Sequence, residues 1–142
     1  MRTFGITNDY DITSLRAGDA VTFSGAIYTA RDAAHKRMTE AAAAGSPLPF
    51  DIRGAAIYYA GPTPARSGEI IGSCGPTTSA RMDDYTPALL GLGLKIMIGK
   101  GKRSPAVVEA MKRNKAVYLI AVGGPAALIK SRVTACEDVA YP

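Results

Sequence analysis

Three hydroxyl side chains, Thr77, Thr78 and Ser79, and one guanidinium, Arg81, crowd into the stretch Gly72-Ser73-Cys74-Gly75-Pro76-Thr77-Thr78-Ser79-Ala80-Arg81-Met82-Asp83. The apolar run Glu69-Ile70-Ile71 brings the chain in extended, and Gly75-Pro76 then turns it. Hydroxyls, bare backbone amides and an arginine delivered into one turn suit a carboxylate or a phosphate. The same residues also fit a polar turn in which Thr77 or Ser79 merely caps a helix. Two further groups could join an anion site. Lys100 stands between Gly99 and Gly101 at the end of an apolar run, where it could reach an anion or simply belong to a basic surface turn. Arg31 and His35 lie four apart on one helix face, and a lone histidine near a helix start is more often structural than catalytic.

Several chemistries are not supported. Gly99-Lys100-Gly101-Lys102 lacks the phosphate-loop spacing, and no Gly-x-Gly-x-x-Gly opens a helix. No Ser-His-Asp or Cys-His arrangement can be argued from spacing. Two cysteines in 142 residues, Cys74 and Cys136, are too few for a metal framework and fit a reducing cytoplasm. The net charge of +5, from 17 Lys+Arg against 12 Asp+Glu, would suit small anionic ligands or solvated surface. No aromatic-interleaved basic motif points to nucleic acid, no apolar run is long enough to span a membrane, and the start carries no signal-peptide core. What remains is an anion site of arginines, a lysine and hydroxyls, with no evident strong base.

The elements that must position these residues alternate. Val21 to Tyr28 reads as a strand, with Gly25 marking a bulge or close contact. Thr29 would cap a helix over residues 30–44, with Asp32 as its reciprocal acid and Lys36 as the partner of Asp32, stopping at Gly45-Ser46-Pro47. Residues 55–60 form an apolar strand. Thr86 would cap a short helix over 87–92, residues 94–98 a buried strand, and Ser104-Pro105 the start of a helix to about Arg113. A strand over 116–122 and a short helix after Gly123-Gly124-Pro125 follow. The reading is one α/β domain with a partly parallel, mixed sheet and flanking helices. Ligands of such sheets bind beyond the carboxyl ends of the strands, where the turns 29–35, 61–68, 72–81, 99–103 and 123–125 could converge.

Taken together, the motifs are more specific than apart. Thr29-Ala30-Arg31-Asp32-Ala33-Ala34-His35-Lys36, Gly75-Pro76-Thr77-Thr78-Ser79-x-Arg81-Met82-Asp83, Gly99-Lys100-Gly101 and Gly123-Gly124-x-Ala126-Ala127 occur in that order. Over nearly the whole chain this resembles the β subunit of the class I (iron–sulfur) fumarate hydratase and L-tartrate dehydratase family. The same module forms the C-terminal domain of single-chain class I fumarases.

The resemblance implies a swivelling β/β/α domain over residues 1–142, similar to the mobile domain of aconitase-type enzymes. It implies a hetero-oligomer with an α subunit whose cysteines hold a 4Fe–4S cluster, and a small dicarboxylate as substrate. In that frame Arg31 and Arg81 match arginines that grip carboxylates, Thr77 a hydroxyl in proton transfer, and Lys100 the lysine facing the developing negative charge. His35, Gly75 and Asp83 are supporting positions, and no residue of this chain is a metal ligand. Cys74 departs from the pattern, where a small alanine-like residue is common, and reads as a packed thiol. Family members continue beyond the position of Pro142, which implies a trimmed β chain. Fumarate to malate is the first substrate pair and tartrate to oxaloacetate the second. A non-catalytic anion-binding or regulatory domain is the reading from another class.

Overall fold

The computed structural model describes residues 2–5, 21–24, 27–59 and 78–120. Strands β1 (Arg2–Gly5) and β2 (Val21–Ser24) pair in parallel, Arg2 opposite Val21 and Gly5 opposite Ser24. A second sheet is four-stranded, in the order β3 (Tyr28–Thr29), β4 (Ala56–Tyr58), β5 (Ile96–Gly99) and β6 (Val117–Ile120). Every described pairing is parallel, where a mixed sheet was expected. In the four-stranded sheet, helical segments between the strands carry the chain back to the starting edge, which is what parallel neighbours require.

Strand side chains alternate between two apolar faces of the sheet, and the helices bury one side. Ile57, Tyr59 and Met97 belong to the main core, with Met38 of α1 (Asp32–Ala43), Leu89 and Leu90 of α2 (Thr86–Gly91) and Ala110 of α3 (Pro105–Asn114). Ala56 and Ile96 point to the other face, with Ile98, Val117 and Leu119 packed against them. All three described helices therefore cover the same sheet face. No helix among the described residues is long and apolar enough to cross a membrane.

Helix ends show where local chemistry decided and where packing overrode it. Ser104 caps α3 as expected, its hydroxyl accepting from the Val107 amide at 3.3 Å, with Pro105 in the first turn. Helix α1 stops where Gly45 takes φ +74°. The Gly45 amide then donates to Ala42 and that of Ser46 to Ala41, a Schellman closure.

Its start differs from the expected cap at Thr29. Thr29 is no cap: it lies in β3, and the Ala30 amide continues the pairing by donating to the Tyr58 carbonyl at 3.1 Å. The helix begins at Asp32 with an extended Arg31 before it and no side-chain cap. Asp32 turns to Arg81 rather than Lys36. Thr86 is likewise the first residue of α2 and not its cap, because its hydroxyl donates backward to the Met82 carbonyl at 2.7 Å. The single strand expected over Val21 to Tyr28 is two, because its halves pair with different partners, β1 and β4. Residues 60–77 and 121–142, including Gly75, Thr77 and the Gly123-Gly124 turn, lie outside the described residues.

Gly99 closes β5 against the site. A Cβ there would collide with Ser79 Oγ and lie 2.8 Å from Tyr59 Cδ2. Gly99→Ala should therefore lower stability by about 1–3 kcal/mol through forced repacking. Gly91→Ala, at a helix position with open space around it, should be neutral or stabilising by up to about 1 kcal/mol. Urea unfolding of the two variants beside the wild type measures both.

Candidate functional site

Because the four strands are parallel, their carboxyl ends share one edge, where Arg31, Arg81 and Lys100 lie; Thr77 and Gly75 are outside the described residues. Arg31 stands two residues beyond the end of β3 and is exposed; Lys100 follows β5 directly and is exposed. Among the described residues no hydrogen bond or ion pair engages the Lys100 ammonium. Between them stands a short 3-10 helix, η1 (Ser79–Met82). Its leading residue Thr78 forms an isolated parallel bridge to Lys100, and the Ser79 amide donates to the Lys100 carbonyl at 3.0 Å. From the other end of η1, Arg81 reaches Asp32, with Nη2 2.8 Å and Nε 3.1 Å from the same carboxylate oxygen. One turn thus ties the Lys100 element to the Arg31–Asp32 element, Arg81 reaching back 49 residues in sequence to Asp32.

The electrostatics are those of an anion site. Slight burial pushes the Asp32 carboxyl up, but its own backbone amide and Arg81, with the charge of Arg31, hold it below its ordinary 3.8. Asp32 occupies the Nε side of the Arg81 fork, and among the described residues nothing engages the Nη1 end. That end can meet a carboxylate with parallel N–H donors. The pair is half-exposed, so its net contribution to stability is small.

Beneath this edge lies a buried ion pair that the sequence did not announce. Arg103 donates through Nε to Asp83 Oδ1 at 2.8 Å, and the two side chains are only 2% and 12% exposed. Asp83 Oδ2 accepts from the Ser104 amide at 2.8 Å, so the same carboxylate meets the first amide of the α3 cap. Arg103 Nη2 donates to Thr86 Oγ1 at 2.9 Å, and the guanidinium lies 5.0 Å and 4.9 Å from the ring centroids of Tyr59 and Tyr118. Asp83 was read as a supporting position from the family pattern; Arg103, Tyr59 and Tyr118 were not singled out. A basic residue before Ser-Pro reads as surface, and no sequence signal marks this one as buried.

His35 is fully buried. Its Nδ1 is 2.8 Å from the Arg31 carbonyl, which can only accept, so Nδ1 carries the proton. The His35 amide donates to that carbonyl as well, at 2.9 Å. Nε2 has no partner among the described residues, and the ring packs edge-on to Tyr59 at 5.3 Å. Burial, with the charge of Arg103, pushes the imidazole below its ordinary 6.5 despite the Arg31 carbonyl and Asp32. Burial also pushes the Tyr59 phenol up; its hydroxyl lies near Thr86 and Arg103 without good hydrogen-bond geometry. Among the described residues no group of three or more His, Cys, Asp or Glu side chains is gathered as for a metal.

A family model described as Fumarase C-terminus matches residues 5–142. The chain belongs to this family. It is 36% identical over 98% of its length to the "Putative L(+)-tartrate dehydratase subunit beta" of Methanocaldococcus jannaschii, of which it covers 73%. It is 35% identical over 91% of its length to the L(+)-tartrate dehydratase subunit beta of Escherichia coli K12, covering 64% of that protein. With the anaerobic class I fumarate hydratase of the same bacterium it shares 41% identity over 86% of its length, but spans only 23% of that much longer chain. The relatives are hydro-lyases by name, and the family expectation drawn from the motifs holds.

Two stability measurements follow from this site. Removing one partner of the buried pair, in Asp83→Ala, should cost about 3–5 kcal/mol by leaving Arg103 uncompensated. Asp32→Ala at the exposed pair should cost about 0–1 kcal/mol, and urea midpoints compare them. Because the folded state holds His35 below 6.5, its contribution to stability is complete above that pH and is lost as pH falls below it. Unfolding free energies at pH 7.5 and 5.5 should therefore differ more in the wild type than in His35→Gln.

Proposed function

We propose that this chain is the β subunit of an iron–sulfur hydro-lyase that interconverts a 2-hydroxy dicarboxylate and its dehydrated product. The observation that carries the reading is the η1 turn, which joins the Lys100 and Arg81 elements of a family-matched chain at one sheet edge. In this reading the chain is a single swivelling domain, works in the cytoplasm and is active only in a hetero-oligomer with an α subunit.

The division of labour follows from the donor set. Guanidiniums and an ammonium at the carboxyl edge suit carboxylates, and two cysteines in the whole chain are too few to hold a 4Fe–4S cluster, which in this reading belongs to the α subunit. That cluster supplies Lewis-acid chemistry at the hydroxyl that departs. Arg31 and Arg81 grip the carboxylates of the substrate, Arg81 through the end of its fork that Asp32 leaves open. Removing the proton from the neighbouring carbon throws negative charge onto a carboxylate, and Lys100 stabilises it there. Thr77 takes part in the proton transfer. A threonine hydroxyl is a poor base near neutral pH, so it needs an activating carboxylate from the α subunit. Asp32 is tied to Arg81 and His35 is buried, so neither is offered as that base.

Fumarate and malate are the first substrate pair. The second reading, tartrate to oxaloacetate, is supported by the relatives named as tartrate dehydratase β subunits, which the chain matches at 35–36% identity. The deciding experiment expresses this chain with its candidate α subunit, rebuilds the cluster without oxygen, and compares malate and tartrate dehydration. Activity should need both chains; hydratase activity of this chain alone overturns the subunit reading. In the active complex Arg81→Lys keeps the charge and loses the fork. It should lower kcat/KM by about 2 kcal/mol or more, roughly thirtyfold.

A further inference from the structure

The Tyr118 hydroxyl sits where the two turns of the proposed site meet. It donates to the Gly101 carbonyl at 2.9 Å, and Ser79 Oγ lies 2.7 Å away. A phenol has one hydrogen and a carbonyl can only accept, so the Ser79 hydroxyl must be the donor of the second bond. Ser79 is fully buried and is gripped twice, by its side chain to Tyr118 and by its amide to the Lys100 carbonyl. The missing side chain of Gly99 makes room for its Oγ. The ring of Tyr118 is held in turn by the Arg103 guanidinium, itself fixed to Asp83 one residue beyond η1.

We propose that Tyr118 is a positioning residue of the hydro-lyase site: with Ser79 and Gly101 it forms a hydroxyl staple that holds Lys100 in register with Thr78 and Ser79. Lys100 has a backbone bond on one side, to Ser79, and the stapled Gly101 carbonyl on the other, so its main chain has little freedom to shift. An ammonium on a flexible four-carbon stem gains most from a fixed root. In this proposal the staple acts through Lys100 and not by contact with substrate. The inference rests on the proposed hydro-lyase reading and adds a residue that the motif pattern does not contain.

The test is Tyr118→Phe in the complete α–β complex. The substitution keeps the ring under Arg103 and removes only the bridging hydroxyl. It should lower kcat about tenfold while KM changes less than about twofold, as expected for losing the bridging bonds behind a group that stabilises developing charge. Ser79→Ala should reproduce that pattern. In a Lys100→Ala background Tyr118→Phe should cost less than about twofold, because its effect passes through the lysine. Full additivity of the two losses, or an unchanged kcat in Tyr118→Phe, overturns the proposal. Amide hydrogen exchange gives a readout without turnover. In Tyr118→Phe the Ser79 amide should exchange faster, while the Tyr59 amide, bonded to the Ile98 carbonyl at 2.8 Å, should not change. If the wild-type complex dehydrates no dicarboxylate, the hydro-lyase reading fails by itself. Exchange then judges the staple alone, and an unchanged Ser79 rate overturns it.

Discussion

An arginine taken almost wholly out of water must have its charge and its N–H donors met by protein, and the layout of the site edge follows from how Arg103 meets that demand. Asp83 answers the charge, Thr86 one further donor, and the faces of Tyr59 and Tyr118 complete the enclosure. These partners come from four places in the chain: the end of η1, the start of α2, the end of β4 and the middle of β6. Breaking such a pair strands a buried charge, whereas exposed pairs contribute little. That asymmetry makes Asp83–Arg103 the structural pair and Asp32–Arg81 the adjustable one. Both begin in or beside η1, so the turn is anchored in the core at one end and offers a guanidinium to solvent from its body.

On that anchored turn the charged groups of the site are arranged by backbone more than by side chain. Thr78 and Ser79 add to the sheet edge beside Lys100, a position open only because Gly99 has no Cβ to fill it. Arg31 is placed by the end of β3, and its carbonyl is held by both the amide and the ring of His35. A neutral, buried imidazole is well suited to that role, since protonating it would put a second cation near Arg103. The histidine is thus tied to the arginine backbone rather than aimed at a ligand.

The family membership and the geometry bear on different questions. Similarity over residues 5–142 fixes the kind of protein, while relatives named for fumarate and for tartrate leave the substrate to the proposal. The carboxyl edge of a parallel sheet, carrying cations and hydroxyls, is a place for binding and charge stabilisation. On the proposed reading a carboxylate grip is common to both substrate pairs, and the groups that distinguish a second hydroxyl would come from the proposed α subunit.

Much of this was legible in the residues themselves. Ser104-Pro105 and Gly45 mark helix ends by local chemistry alone, because a hydroxyl cap and a positive φ need no tertiary partner. The alternation of apolar runs with helical stretches implies an α/β sheet, and the ordered motifs around Arg31, Arg81 and Lys100 imply the family. What the residues could not show depends on which segments pair. Thr29 and Thr86 look like caps, yet strand pairing keeps the first extended and the Met82 carbonyl captures the second. Val21 to Tyr28 looks like one strand until its halves find different partners. Arg103 reads as surface charge in a basic turn, and only the convergence of Asp83, Thr86, Tyr59 and Tyr118 turns it into a core residue. Local patterns are written in neighbouring residues, whereas a buried charge is decided by groups that folding alone brings together.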